Sequence, residues 1–449
     1  MKQFVCVLVA VWATMMMSLS CSGPSLTCNF RSADISTTPD EHVVLAGFAA
    51  RQGLSDGVHI PLRTSALAIR DGEKTVCIIS NDLMEISPAL ADEIRDSISR
   101  RSGLARENIL MHCIHTHSAP RTGGVSAQPD GTNYAYKMRT CETIVSNAVS
   151  VIADDAAYRA FRLETLQAQT SINRNRCEKG GPVDRDVYAV RFCEKNGKPI
   201  CAVINLACHP VCLSHKSLIL SSDYSGVARR KLAGEWGCEV FQLTGAAGNL
   251  DPQHLSADLE NVDSLGTALA DSLLQHRFQR VKEEGTLKFG TGVAHLPFRI
   301  AEVTPEAVRA HADSLVSAST AFPRFADDVR GWEAEILSRF EAGKVSNTLD
   351  FNMAAVNVDG VLFFFSQGEP FCEYQMAARA AFPGKTLFFA GYTNGQNSYL
   401  PSAYAYERRK GYEYEIEQMH VYIKAPYPLS ETMPASYEKA VIETINEVQ

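Results

Sequence analysis

The sequence predicts a single α/β-type domain over residues 30–449, and three observations carry that prediction. From about residue 40, short apolar runs alternate with segments whose apolar residues recur every three or four positions. The pair Asn196-Gly197 separates two strand-like runs, the strongest short signal for a tight β-hairpin. No repeat, low-complexity tract or linker divides the chain, although 449 residues would also suffice for two ordinary domains.

Each element follows from local chemistry. "TVCIISNDL" (75–83) reads as a buried strand ending in polar residues. Ser87-Pro88 opens a helix, with serine as the cap and proline in the first turn. Leu90, Ile94 and Ile98 recur at spacing four, and Gly103 closes that helix. "NILMHCI" (108–114) is the next strand, and residues 143–156 form an amphipathic helix. Residues 186–210 make the hairpin. "SSDYSGVARRKLAGE" (221–235) is a helix opened by Asp223, and the buried strand "CEVFQLTG" follows. Residues 304–343 hold two helices, the first opened by Thr304-Pro305, and residues 358–370 and 385–394 are strands running into loops.

Composition narrows the function. With 45% hydrophobic and 21% charged residues, the chain is that of a folded protein. A formal charge of −8 and the lack of a basic run argue against nucleic acid as a partner. Residues 1–20 read as a signal peptide: Lys2, then an apolar stretch from Phe4 to Met17, too short for a transmembrane anchor. Leu19-Ser20-Cys21 resembles a bacterial lipobox, which implies cleavage before Cys21 and its lipidation, with residues 21–29 as a tether. The other reading is an ordinary signal with a cysteine nearby. The expectation is an exported lipoprotein, held to a membrane through its lipid on the periplasmic side or the cell surface. Of thirteen cysteines, Cys6 and Cys21 fall in this leader, and the remaining odd number cannot all pair. Cys77, Cys113, Cys201 and Cys208 lie in apolar runs, where cysteine acts as a small hydrophobe.

The chemistry begins at "NILMHCIHTHSAPRTGG" (108–124), with three histidines in six positions. Strand alternation puts His115 and His117 on one face and His112 on the other, in the core. An isolated His-x-His is equally a pair of core histidines. Recurrence favours the functional reading: "NLACHP" sets His209 at a strand end, and "FFFSQGEP" sets Glu369 at another. Imidazole and carboxylate suit zinc, whose catalytic sites need three or four protein ligands and a water. Strand ends gathered on one rim of a sheet are where such ligands meet.

Six blocks, in order, resemble the neutral/alkaline ceramidase family of zinc-dependent amidases. "GVHIPLRTSALAI" (57–69) is similar to its early GIH-containing strand, and "HTHSAP" (115–120) to its HTHSGP block. "ACHPVCLSHKSLILSSDYSG" resembles its second histidine block, "GAAGNLDPQ" (245–253) its glycine-rich GDVSPN block, and "QGEPF" its glutamate segment. "GYTNGQNSYLPSAYAYERRKGYEYE" (391–415) is similar to its tyrosine-rich block. The resemblance implies an α+β fold of two stacked mixed β-sheets with helices outside. It implies zinc held by His115, His209, Glu369 and Tyr399, His117 as the base beside the metal, and Tyr412 as the oxyanion-binding tyrosine. An extra residue in this block leaves Tyr414 as the alternative. The implied reaction is hydrolysis of an amide (N-acyl) bond by a metal-activated water.

Two departures bear on substrate. Asp251 stands where the family has serine, which weakens ceramide itself as the substrate. The resemblance also ends with the tyrosine block, so the family's immunoglobulin-like C-terminal domain is expected to be absent. Asp251 is expected to read a substrate hydroxyl or amine, or else to cap its own loop. Arg51 and Arg121 are candidates for holding an anionic or glycan substrate, against a solvated surface role. Asp82 is a candidate partner for a ligand histidine, and Asp223 a helix cap. The other functional readings are a hydrolase of acylated carbohydrates and a non-catalytic lipid- or glycan-binding lipoprotein.

Overall fold

The computed structural model describes residues 26–449 apart from 73, 319–322 and 396–397. Residues 1–20, read above as a signal peptide, and Cys21, read as its lipidation site, lie outside the described residues.

Two mixed sheets stack face to face. The larger contains β1 (Thr27–Asp34), β2 (Arg63–Asp71), β3 (Lys74–Asn81), β4 (Ile109–Cys113), β5 (Arg159–Gln169), β6 (Asp186–Glu194), β7 (Pro199–Leu206) and β8 (Glu239–Thr244). Its order is β8-β7-β6-β5-β1-β2-β3-β4, antiparallel except for the parallel pairs β7/β8 and β3/β4 at its two edges. The second sheet contains β9 (Leu287–Pro297), β10 (Thr348–Val358), β11 (Val361–Ser366) and β12 (Leu387–Ala390), with only β11/β12 parallel. This is the two-sheet architecture that the sequence blocks imply.

Period-two alternation explains the layering. In β11, Val361, Phe363 and Phe365 pack against Ile69, Ile78, Val203 and Phe241 of the larger sheet. Leu362 and Phe364 turn outward to the helices Pro305–Ala318, Pro323–Glu341 and Met433–Asn446. A strand buried on both faces reads as an unbroken apolar run, as "VLFFFS" does. Truncating Phe363 to alanine would cost about 3–5 kcal/mol. The outer face of the larger sheet is covered by Pro88–Ser102 and Tyr134–Ala153 at one end and by Asp223–Trp236 and Leu259–Leu274 at the other.

Local signals set several boundaries. The Ser87 hydroxyl accepts the Leu90 N–H, and Gly103 closes the helix at φ 76°. Gly197 turns the hairpin at φ 97°, with the Asn196 side chain accepting the Lys198 N–H. The helix read as 143–156 instead begins at Tyr134. Its first turns carry no strong apolar period; Tyr136 holds them by donating from its buried hydroxyl to Ile35 O. All eleven cysteines among the described residues are free, most of them buried as small hydrophobes. No helix among those residues is long and apolar enough to cross a membrane.

The site lies where the edge strands meet. Ser80 donates to Gln242 O, and the Thr244 N–H donates to His112 Nε2, so side chains tie the β3/β4 edge to β8. The loops leaving β4, β7 and β11 therefore open toward one point.

Candidate metal centre

His115, His117 and His209 bring their ring nitrogens within 4.8 Å of one another. Hydrogen bonding fixes how two of the rings present. His115 Nδ1 lies 2.8 Å from Met84 O, and His209 Nδ1 lies 3.1 Å from Leu250 O. A carbonyl only accepts, so each Nδ1 carries its hydrogen and each Nε2 turns inward. Glu369 Oε2 sits 3.3 Å from His115 Nε2 and 3.0 Å from His209 Nε2. His117 Nε2 is 3.2 Å from His115 Nε2. Inward-facing lone pairs and a carboxylate this close repel unless a cation or a proton lies among them, so the arrangement can hold a metal ion.

His115 and His117 do share a side, but not by strand alternation. β4 ends at Cys113, and His115 takes a left-handed φ of 72°, held by its N–H donating to Leu83 O. Such a conformation in a non-glycine residue is paid for by its surroundings and clusters at functional sites. His112 faces away, as alternation requires. It donates from Nδ1 to Gly391 O at 2.8 Å and accepts the Thr244 N–H at Nε2, so it is a satisfied neutral core histidine. Gly47 lets His117 approach: a Cβ there would lie 2.3 Å from the imidazole Cγ.

Burial opposes charge throughout the cluster, and neighbours decide the outcome. Burial pushes the Glu369 carboxyl up, but His115 and His209 hold it far below the ordinary carboxylate range. Burial pushes His115 down, but Glu369 raises it above its usual value. His117 is pushed well down by burial and by the His115 and His209 imidazoles, and stays neutral.

Tyr399 joins the centre through the short parallel pairing of Glu369–Pro370 with Tyr399–Leu400, in which it stands directly beside Glu369. The Arg176 guanidinium lies 5.0 Å from the Tyr399 ring, held by Gly248 O and by Glu415 at 2.9 Å. Asp251 lies near the rim, 3.9 Å from His209 Nδ1, beyond hydrogen-bond reach.

Other candidates take different places. Tyr412 is fully buried against Phe371, in the core beside the second sheet. The alternative, Tyr414, reaches the site: it is partly exposed, its ring is 6.3 Å from Tyr399, and Glu369 and Arg176 act on its hydroxyl. Tyr414 opens a π-helical turn that runs to Gln418. Arg51 is a clamp, its Nη1 donating to the carbonyls of Ala46 and His117. Arg121 is half-buried nearby and acts on Arg51 and Glu85. Asp82 touches no ligand histidine; it is buried in an ion pair with Arg229 at 2.8 Å. Asp223 opens its helix at φ 58°, its carboxylate accepting the N–H groups of Cys212, Leu213 and Tyr224, which ties the loop after His209 to the helix. Sequence reasoning missed Arg176, Glu85 and Tyr392. The first two lie in segments without a pattern, and only the tyrosine-rich block could have pointed to the third.

Residues 30–237 match the family described as neutral/alkaline non-lysosomal ceramidase, N-terminal. The chain resembles neutral/alkaline ceramidases. The ceramidase match contains His115, His117 and His209, while Glu369 and Tyr399 lie beyond it. The fold likeness extends further. The neutral ceramidase of Pseudomonas aeruginosa superposes with a TM-score of 0.67 at 16% identity, over 94% of this chain and 75% of that one. A ceramidase complexed with C2 gives 0.66 at 15% identity, with the same coverage.

Proposed function

We propose that the chain is a zinc-dependent hydrolase cleaving an amide (N-acyl) bond. The observation that carries this reading is the convergence of His115 Nε2, His209 Nε2 and Glu369 Oε2 with their outer nitrogens pinned by main-chain carbonyls. Ligands on a tetrahedral zinc with bonds of about 2.0–2.1 Å stand roughly 3.3–3.4 Å apart. The separations of 3.0–3.3 Å match that spacing, and nitrogen and oxygen donors are the set that zinc prefers. Tyr399, beside Glu369, completes the proposed ligands. Zinc, when bound, would lower the pKa of its water to about 7 and polarise a carbonyl.

The chain's own groups supply the rest. His117, held down by burial and by the neighbouring imidazoles, takes a proton and returns it to the leaving nitrogen. The Met84 and Leu250 carbonyls fix the tautomers of His115 and His209. Asp251 and the Arg176–Glu415 pair put charged groups around the centre, which favours a polar head group such as an acylated sugar or amino acid over an unadorned lipid. Metal analysis together with a hydrolysis screen over N-acyl sphingolipids, N-acyl amino acids and acylated sugars tests the reading. Purified protein without zinc and without turnover of any of these would refute it.

We also propose that Cys21 is lipidated and holds the exported protein to a membrane. Cys21→Ser is expected to release it from the membrane fraction. Unchanged detergent partitioning would overturn the anchor.

A further inference from the structure

Tyr392 sits against the centre in a way that packing alone does not require. Its ring stacks on His115, with centroids 4.4 Å apart and planes at 27°, and presents edge-on to His209 at 6.2 Å. Only 2% of the residue is exposed. Its backbone is left-handed at φ 53°, clamped by its N–H donating to Gly368 O and its carbonyl accepting the Cys113 N–H. Those clamps join the Glu369 segment to β4, so the ring is fixed relative to both sources of ligands.

The hydroxyl is buried and has no hydrogen-bond partner among the described residues. It lies in the field of Glu369, Tyr399, Arg176 and Asp251, the groups that ring the centre. A phenylalanine would stack on His115 equally well and leave no orphaned donor. A buried, unpaired hydroxyl costs stability unless something absent from the free chain accepts from it. Tyr412 also has an unpaired hydroxyl, but in the core near Cys177 and Glu373. Tyr414 is 43% exposed, and water can satisfy it.

We propose that the Tyr392 hydroxyl is a further catalytic group, donating a hydrogen bond to the carbonyl oxygen of the scissile amide as negative charge develops there. The hydroxyl keeps its proton, and the bond is strongest in the transition state. This assignment rests on the hydrolase reading above.

The test compares wild type with Tyr392→Phe. In the variant, kcat on the best N-acyl substrate is expected to fall by about 100-fold, with KM changed by less than about threefold. Zinc content should be unchanged, and Tm unchanged or higher, because the orphaned hydroxyl is gone. Acetohydroxamate, titrated calorimetrically into the zinc-loaded protein, should bind about tenfold more weakly. Equal kcat and equal hydroxamate affinity in the two proteins would overturn the assignment while leaving the hydrolase reading intact. Wild-type protein that takes up no zinc and binds no hydroxamate would remove both.

Discussion

Among the described residues the protein brings histidines face to face in two places, and only one of them gathers three groups that could hold a metal. At the centre, His115 and His117 approach at 3.2 Å between Nε2 atoms; under the second sheet, His311 and His420 approach at 3.1 Å. The first pair has a third imidazole, a buried carboxylate, and main-chain carbonyls holding two Nδ1–H groups. The second is enclosed by Trp332 and Tyr427, and no carboxylate is bonded to either ring among the described residues. The nearby Glu417 is spent on Arg299. His420 Nδ1 is buried without a partner. Proximity of imidazoles is thus a packing event; tautomer control and a compensating charge make a binding site.

The largest effects should separate the clusters outright. His209→Ala and Glu369→Ala are expected to drop zinc to below about a tenth of wild type, because each removes a proposed ligand and leaves the others without a closed set. His420→Ala should leave zinc unchanged. Elemental analysis of the three variants decides it, and full zinc in the first two would dissolve the distinction.

Within the centre, His117→Ala should keep its zinc and lose about 100-fold or more in kcat, the scale of a lost general base. Loss of zinc instead would make His117 a ligand. Gly47→Ala sharpens the point, since its methyl group would press on the His117 ring. It should lower kcat with unaltered metal content in the same two assays.

Asp251→Ser should shift the ratio of kcat/KM between acylated sugars and ceramide by about tenfold, with little change in zinc, because serine donates where aspartate only accepts. A ratio that stays constant across the panel would reduce Asp251 to a loop residue.

The smallest effect is a difference in sign with pH. Burial holds His420 well below its usual value, and His112 down at about 3. The unfolded chain protonates such histidines first, so their contribution is full above about pH 6.5 and is lost as pH falls, by up to about 1.4 kcal/mol per pH unit for each proton. In metal-free protein His115 is raised, so its contribution is present below about pH 6.5 and is lost as pH rises through its folded value. Urea melts from pH 7.5 to 4.5 should therefore show a slope that flattens in His420→Gln and steepens in His115→Gln. Equal slopes in all three proteins would contradict these assignments.

Much of this was legible before any coordinates. The cap at Ser87, the hairpin at Asn196-Gly197 and the inward and outward faces of "VLFFFS" follow from rotamer, turn and alternation rules that act over a few residues. The donor groups of His115, His209 and Glu369 were equally legible as candidates, because these residues sit beside residues that end strands. What local rules could not decide was where side chains point once the chain leaves regular structure. His115 and Tyr392 occupy left-handed backbone conformations that no propensity would assign them. Tyr412 is drawn into the core against Phe371, while Tyr414 lies beside Tyr399. Asp82, plausible beside a histidine, is drawn instead to Arg229 on a helix far along the chain. The sequence by itself determined which atoms could bind a metal and where several strands, caps and turns lie, since those depend on covalent structure and near neighbours. Only the stacking of the two sheets decided which of those atoms meet, because contacts between distant segments are fixed by burial summed over the whole core.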